Sequence, residues 1–315
     1  MLELLEFLLY SAVIPAITAV IVAITLRRLL PTTIGAGCSF AVGVAAGFFV
    51  GYALLPEWAP LVPERHWQWL PHLAFSAAFV GCVIGAGRWP AWSSGLLYCA
   101  LGLLTAWLIV PSWVQPTRLG MIPLVTAYIA GISLFLVMLP ARLRGRLFLF
   151  LLAACAASTA LVVFIEVAKY GQVAVIVAPA IVACWVALLL QARLWPQPEA
   201  NATESLAWAT AALIPVYVLI AGGSAFVGAI EPTRPVYWLL AVPAAPLALW
   251  LFVVGPLARL TGIQAVLAQT FAVAVIPLVV VGISAMNAMA TPVDSANEWS
   301  SSPPSPPSAV FVARG

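Results

Sequence analysis

Two charged residues, Glu166 and Lys169, stand three apart within the 45 residues from Leu147 to Gln191, which carry no other charge. A carboxylate and an ammonium at that spacing face each other on a helix. Inside a bilayer such groups mark substrate or ion pathways, because burying them there is expensive. Depth decides between that role and a solvated pair. Twenty helical residues at about 1.5 Å each rise about 30 Å, the thickness of the hydrocarbon layer. A helix that starts at Leu147, directly behind Arg146, therefore brings Glu166 out at the opposite interface. Glu166, Lys169 and the nearby Gln172 are expected at the tip of a helical hairpin, where they are candidates for a gate or a substrate contact.

The remaining polar inventory of the apolar runs is small. Tyr217 and Ser224 share one span, and Gln264 and Gln269 share the last one. An amide or hydroxyl at membrane depth seeks a partner on another helix, so each is either packing glue or a solute contact. His66 and His72 are the only histidines and are six apart, a spacing that suits neither a helical metal pair nor a haem ligand set. The five cysteines, Cys38, Cys82, Cys99, Cys155 and Cys184, fall inside apolar runs without C-x-x-C spacing and are expected as free thiols. No zinc-protease helix motif, nucleophile elbow, P-loop or dinucleotide fingerprint is present. The only aspartate, Asp294, lies near the C-terminus. Acid–base chemistry needs groups that these spans barely contain. No catalytic residue, metal, cofactor or nucleic-acid partner is assigned.

The setting of these residues follows from composition. With 64% hydrophobic and 7% charged residues, the chain cannot cover a soluble core. Lipid must be the solvent for most of it, so each span has to satisfy its own backbone hydrogen bonds. The apolar runs are about 20 residues long and do not alternate, which selects helices over the strands of a barrel. The expected fold is all-α: a polytopic membrane domain of about ten helices over residues 1–286, divisible into two five-helix halves near 140–146, followed by a Ser/Pro-rich disordered tail over 287–315. The expected spans include about 173–191, about 207–229 and about 238–257, with WPQPEANATES as a loop ahead of the second of these.

Small residues recur at spacing four on two spans. Gly43, Gly47 and Gly51 line one face, and Ala77, Gly81 and Gly85 line another. Such faces let helices approach closely, within one chain or between copies. Breakers cluster in the later spans: Pro215 with Gly222-Gly223, Pro243 with Pro246, and Pro277.

Charge orients the chain. With ten spans, one set of loops carries eight basic residues, among them Arg27, Arg28, Arg142, Arg144 and Arg146, and the other set with both termini carries five. The positive-inside rule places the Arg-rich loops in the cytoplasm and both termini outside. The Ala-, Pro- and Arg-rich composition suits a GC-rich bacterial genome, and with the apolar spans the expected location is a bacterial inner membrane. In length and span number the chain is similar to the drug/metabolite transporter superfamily. That similarity is one of size and count, and members usually have cytoplasmic termini. The expected function is a permease-like transporter of a small neutral or apolar solute, with two alternatives: a non-catalytic scaffold or complex subunit, and an intramembrane enzyme. The partners implied are the lipid bilayer and, through the glycine faces, a second copy or another membrane subunit.

Overall fold

A computed structural model describes residues 2–30, 32–55, 62–87, 89–114, 117–139, 145–194, 199–231, 235–254 and 256–290. Among these the chain is helical and without strands. We label the helices α1 (2–29), α2 (Thr32–Ala53), α3 (His66–Ala86), α4 (Ala91–Ile109), α5 (Arg118–Val137), α6 (Gly145–Glu166), α7 (168–194), α8 (199–230), α9 (Tyr237–Phe252) and α10 (Gly262–Ala290). Eight helices are long and apolar enough to cross a membrane, and Gly37–Ala53 and Tyr237–Phe252 are shorter apolar helices. Large apolar side chains, among them Ile17, Ile21, Phe79, Phe271 and Leu278, point outward from the bundle. An apolar exterior of that extent belongs in lipid.

The helix at the centre is α8. Every residue of α8 from Ala209 to Ile230 is buried, against 22% of the apolar core of α1 and 17% of that of α10. α2, α3, α5, α6 and α9, with the first turns of α7, surround it. A helix that is apolar all round is buried all round, and the run of Ala, Gly, Ser and Thr through α8 lets six neighbours come close. Outside this ring α1 packs on α2 and α7, α4 on α3 and α5, and α10 on α6 and α9.

The glycine faces mediate the closest approaches. A Cβ at Gly43 would lie 2.8 Å from the Ala19 carbonyl oxygen, and one at Gly47 would lie 2.6 Å from that of Pro15, so α1 crosses α2 backbone to backbone. Gly81 meets the Ala212 carbonyl of α8, and Gly85 lies against the Ala212 Cβ and Gly37 of α2. Gly51 faces Ile176 of α7, and Ala77 is fully buried.

Four local windings differ from the sequence expectation. α7 begins at Ala168 rather than near 173, because the hairpin turns on Val167 alone, which is extended at φ −144, ψ 92. Gly171 sits directly on the Phe164 backbone, so only a residue without Cβ permits so short a reversal. The helix then loosens at 175–176, where Pro179 cannot donate to the Val175 carbonyl. α8 starts at Glu199, which makes helix of most of the expected loop and places Asn201-Ala202-Thr203 within it. α10 runs on to Ala290, and the expected tail beyond it, 291–315, lies outside the described residues.

The fourth difference is α9. Instead of a span over 238–257, the chain winds as 3-10 over Tyr237–Leu240, α over Ala241–Ala244 and 3-10 over Ala245–Phe252. Pro243 and Pro246 remove two helix donors here. The 3-10 rise of about 2.0 Å per residue stretches these sixteen residues to about 30 Å, a full hydrocarbon thickness.

Candidate functional site

Two π turns interrupt the helices. In α1 residues Leu9–Val13 widen ahead of Pro15, which cannot donate to the Ser11 carbonyl, while Ser11 Oγ donates to the Phe7 carbonyl at 2.6 Å. In α8 the widening spans Val218–Gly222, three residues after Pro215, and ends at the pair Gly222-Gly223. Single π turns are frequent at functional sites. Irregular backbone at membrane depth is tolerated where protein encloses it, as α8 is enclosed.

A cavity of about 340 Å³ opens against this turn. Gly222, Gly223 and Phe226 of α8 form its floor. Met121, Val125 and Tyr128 of α5 form one wall, Tyr237 and Leu240 of α9 the other, and Ile109 closes the end at α4. The two glycines leave room there for neighbouring side chains. A Cβ at Gly222 would stand 3.0 Å from the Tyr128 ring, and one at Gly223 would stand 2.6 Å from Leu70 of α3. The volume is about twice that of an engineered cavity that admits benzene, and it falls at the small end of ligand pockets.

Two tyrosines tie this region to α9. Tyr128 donates its hydroxyl hydrogen to the Leu240 carbonyl at 2.7 Å, and Tyr217 donates to the Pro243 carbonyl at 3.0 Å. Both acceptors stand three residues ahead of a proline, Pro243 and Pro246, whose nitrogen has no hydrogen for an i,i+3 bond. The phenols thus supply donors where the prolines withhold them. Cys155 of α6 lies within hydrogen-bonding reach of the Tyr217 oxygen, which joins α6, α8 and α9 at one point.

The sequence-derived candidates fall elsewhere. Glu166 ends α6 with Oε1 buried and without a hydrogen-bond partner among the described residues. Lys169 sits in the first turn of α7 with Nζ 5.0 Å above the Trp67 ring, a cation–π placement. Gln172 is half-buried one turn further on. Gln264 is exposed and Gln269 half-buried on peripheral α10. Tyr217 and Ser224 flank the π turn, and Ser224 Oγ is buried without a partner among the described residues. None of these seven lines the cavity. α2, α3 and α8 are packed together through Gly37, Gly81 and Gly85.

Lys169 belongs instead to an aromatic and charged group at one end of the bundle. Trp67 packs edge-on to Tyr52 at 6.1 Å and to Tyr170 at 5.7 Å, and His66 packs edge-on to Trp113 at 6.0 Å. The charges of Arg65 and Glu231 bear on His66, Lys169 and Tyr170. Gln68 Oε1 accepts from the backbone N–H groups of Glu64 and Arg65, both at 2.8 Å, and so holds the chain entering α3. His72 packs against Phe49 and Trp69 instead, each at 6.0 Å. Among the described residues no three His, Cys, Asp or Glu side chains gather as a metal site, and all five cysteines are free thiols.

Sequence reasoning noted the Gly222-Gly223 doublet only as a helix breaker and left Phe226 and Tyr237 unremarked. The usable signal was the doublet itself. A glycine pair a few residues after a proline, in a span with no other reason for flexibility, is where a backbone widening is least costly.

Taken together, these features define the class: an all-α polytopic membrane protein whose irregular central helix borders an apolar cavity. No protein-family model, curated protein or solved structure matches the chain.

Proposed function

We propose that the protein is a permease-like transporter of the bacterial inner membrane, and that its solute is small, neutral or apolar and binds in the α4–α5–α8–α9 cavity. The observation that carries this reading is the cavity's position. It lies between two irregular helices, the π-wound α8 and the 3-10-wound α9, and α9 is held by phenol-to-carbonyl hydrogen bonds from α5 and α8. Helices with several near-equivalent windings are suited to alternate between packings. No charged side chain lines the cavity, and a charge placed there would go unpaired at high cost.

Val125→Phe tests the site, because Val125 is buried and a larger ring there occupies the cavity directly. In lipid nanodiscs, toluene or indole is expected to stabilise the wild-type protein saturably, by about 2.7 kcal/mol at a hundredfold excess over Kd. The variant is expected to lose that shift, and proteoliposomes carrying it are expected to lose saturable uptake. Identical shifts for both proteins would sink the assignment.

The proposed orientation puts both termini outside and the loop with Arg142, Arg144 and Arg146 in the cytoplasm, in line with the eight-to-five distribution of basic residues over ten spans. In a cysteine-free background, a membrane-impermeant thiol reagent is expected to label Glu64→Cys in intact cells and to leave Arg144→Cys unlabelled. The reverse pattern would invert the topology.

A further inference from the structure

Resting on the permease reading of this cavity, we infer that its solute enters sideways from the lipid, through a portal between α5 and α9. The solute class is then small neutral molecules that dissolve in the bilayer. Leu124 and Tyr237 both line the cavity, yet they are 62% and 39% exposed, whereas Val125, Ile129 and Phe226, which line its inner part, are at most 5% exposed. The cavity therefore runs from the bundle surface inward to the π turn of α8. On the α5 side its exposed edge lies below the interface. Leu124 is six residues past Arg118, about 9 Å along the helix axis, and this depth belongs to hydrocarbon rather than water.

The water-facing ends of the helices around the cavity are tied in pairs, and Val110, Val114 and Val236 are buried. The Val236 N–H donates to the Ala229 carbonyl at 2.8 Å, which staples the chain entering α9 onto α8. Arg118 Nη2 donates to the Trp107 carbonyl at 2.7 Å, and its guanidinium lies 5.0 Å over the Trp107 ring, which fastens the start of α5 to α4. On the lateral side the Tyr128–Leu240 bond ties α5 to α9 at the inner part of the portal.

The experiment follows toluene or indole exchange in nanodiscs by stopped flow, with the full chain. Leu124→Trp is expected to slow both association and dissociation several-fold, and Leu124→Ala to speed both. A slower dissociation separates an obstructed portal from a weakened site, which would release its ligand faster. Raising the lipid-to-protein ratio at constant total probe is expected to weaken apparent binding as the probe dilutes into lipid. Wild-type binding that persists with both rates unmoved in both variants overturns the portal and leaves the cavity reading standing. Absence of any saturable binding to the wild type overturns the portal and the cavity together.

Discussion

Gly81→Val is expected to cost about 3 kcal/mol or more, the upper range for overpacking. The cause is local: a Cβ at that position runs into the Ala212 carbonyl, which is backbone and cannot swing aside. To make room, α3 must move away from α8, and Gly85 and Gly37 must separate with it. Gly131→Ala is the counterpart, because apart from its chain neighbours and its own helix backbone nothing stands within 4 Å of a Cβ built there. That substitution is expected to stabilise by up to about 1 kcal/mol, the difference between the two residues inside a helix. Thermal unfolding in mild detergent, with the two variants in parallel, reads both signs. A neutral Gly81→Val would mean that α3 and α8 are not in backbone contact.

Tyr217→Ala is expected to cost about 3–5 kcal/mol, the range for removing a large ring from a packed core, since Tyr217 is fully buried. Tyr217→Phe separates the ring from its hydroxyl. It keeps the packing and leaves the Pro243 carbonyl buried without its phenol donor, at about 1–3 kcal/mol. The more telling readout is local. Hydrogen exchange of α9 amides is expected to accelerate in Tyr217→Phe, and again in the double variant with Tyr128→Phe, because both phenols hold the same helix. The two effects are expected to be non-additive, as for residues that share a partner. Unchanged exchange in α9 would show that its 3-10 winding does not depend on the tyrosines.

The depth argument for Glu166 rested on Arg146 and a rise per residue, and both are local quantities. The structure ends α6 at Glu166 and puts Lys169 beside Trp67 in an aromatic group at the end of the bundle. The participants in that group were not legible, because Arg65, His66, Trp113 and Glu231 lie far from Lys169 in sequence. The hairpin itself was misjudged by five residues. Hydropathy registers the charges of 166–169 as a loop, whereas Val167 alone makes the turn, and Gly171 against Phe164 makes it possible.

Helix α9 shows a second limit. Prolines at 243 and 246 forecast an interrupted helix, but not that a 3-10 stretch would let sixteen residues reach a membrane's thickness. Nor did they forecast that Tyr128 of α5 and Tyr217 of α8 would arrive opposite the carbonyls at 240 and 243.

By itself the sequence determined the helical membrane class, because a chain with 64% hydrophobic residues needs lipid as its solvent and its unalternated runs of about 20 apolar residues satisfy their backbone there as helices. It also determined the small-residue faces and the positions of the breakers, since spacing and residue type are local properties. Only the tertiary structure decided that α8 is central, α1 and α10 are peripheral, and the cavity lies beside Gly222. The physical reason is that lipid and protein interior are equally apolar, so hydropathy does not distinguish a helix facing one from a helix facing the other. That distinction arises from which backbones approach closely enough to exclude lipid, and from where two irregular helices fail to fill the space between them.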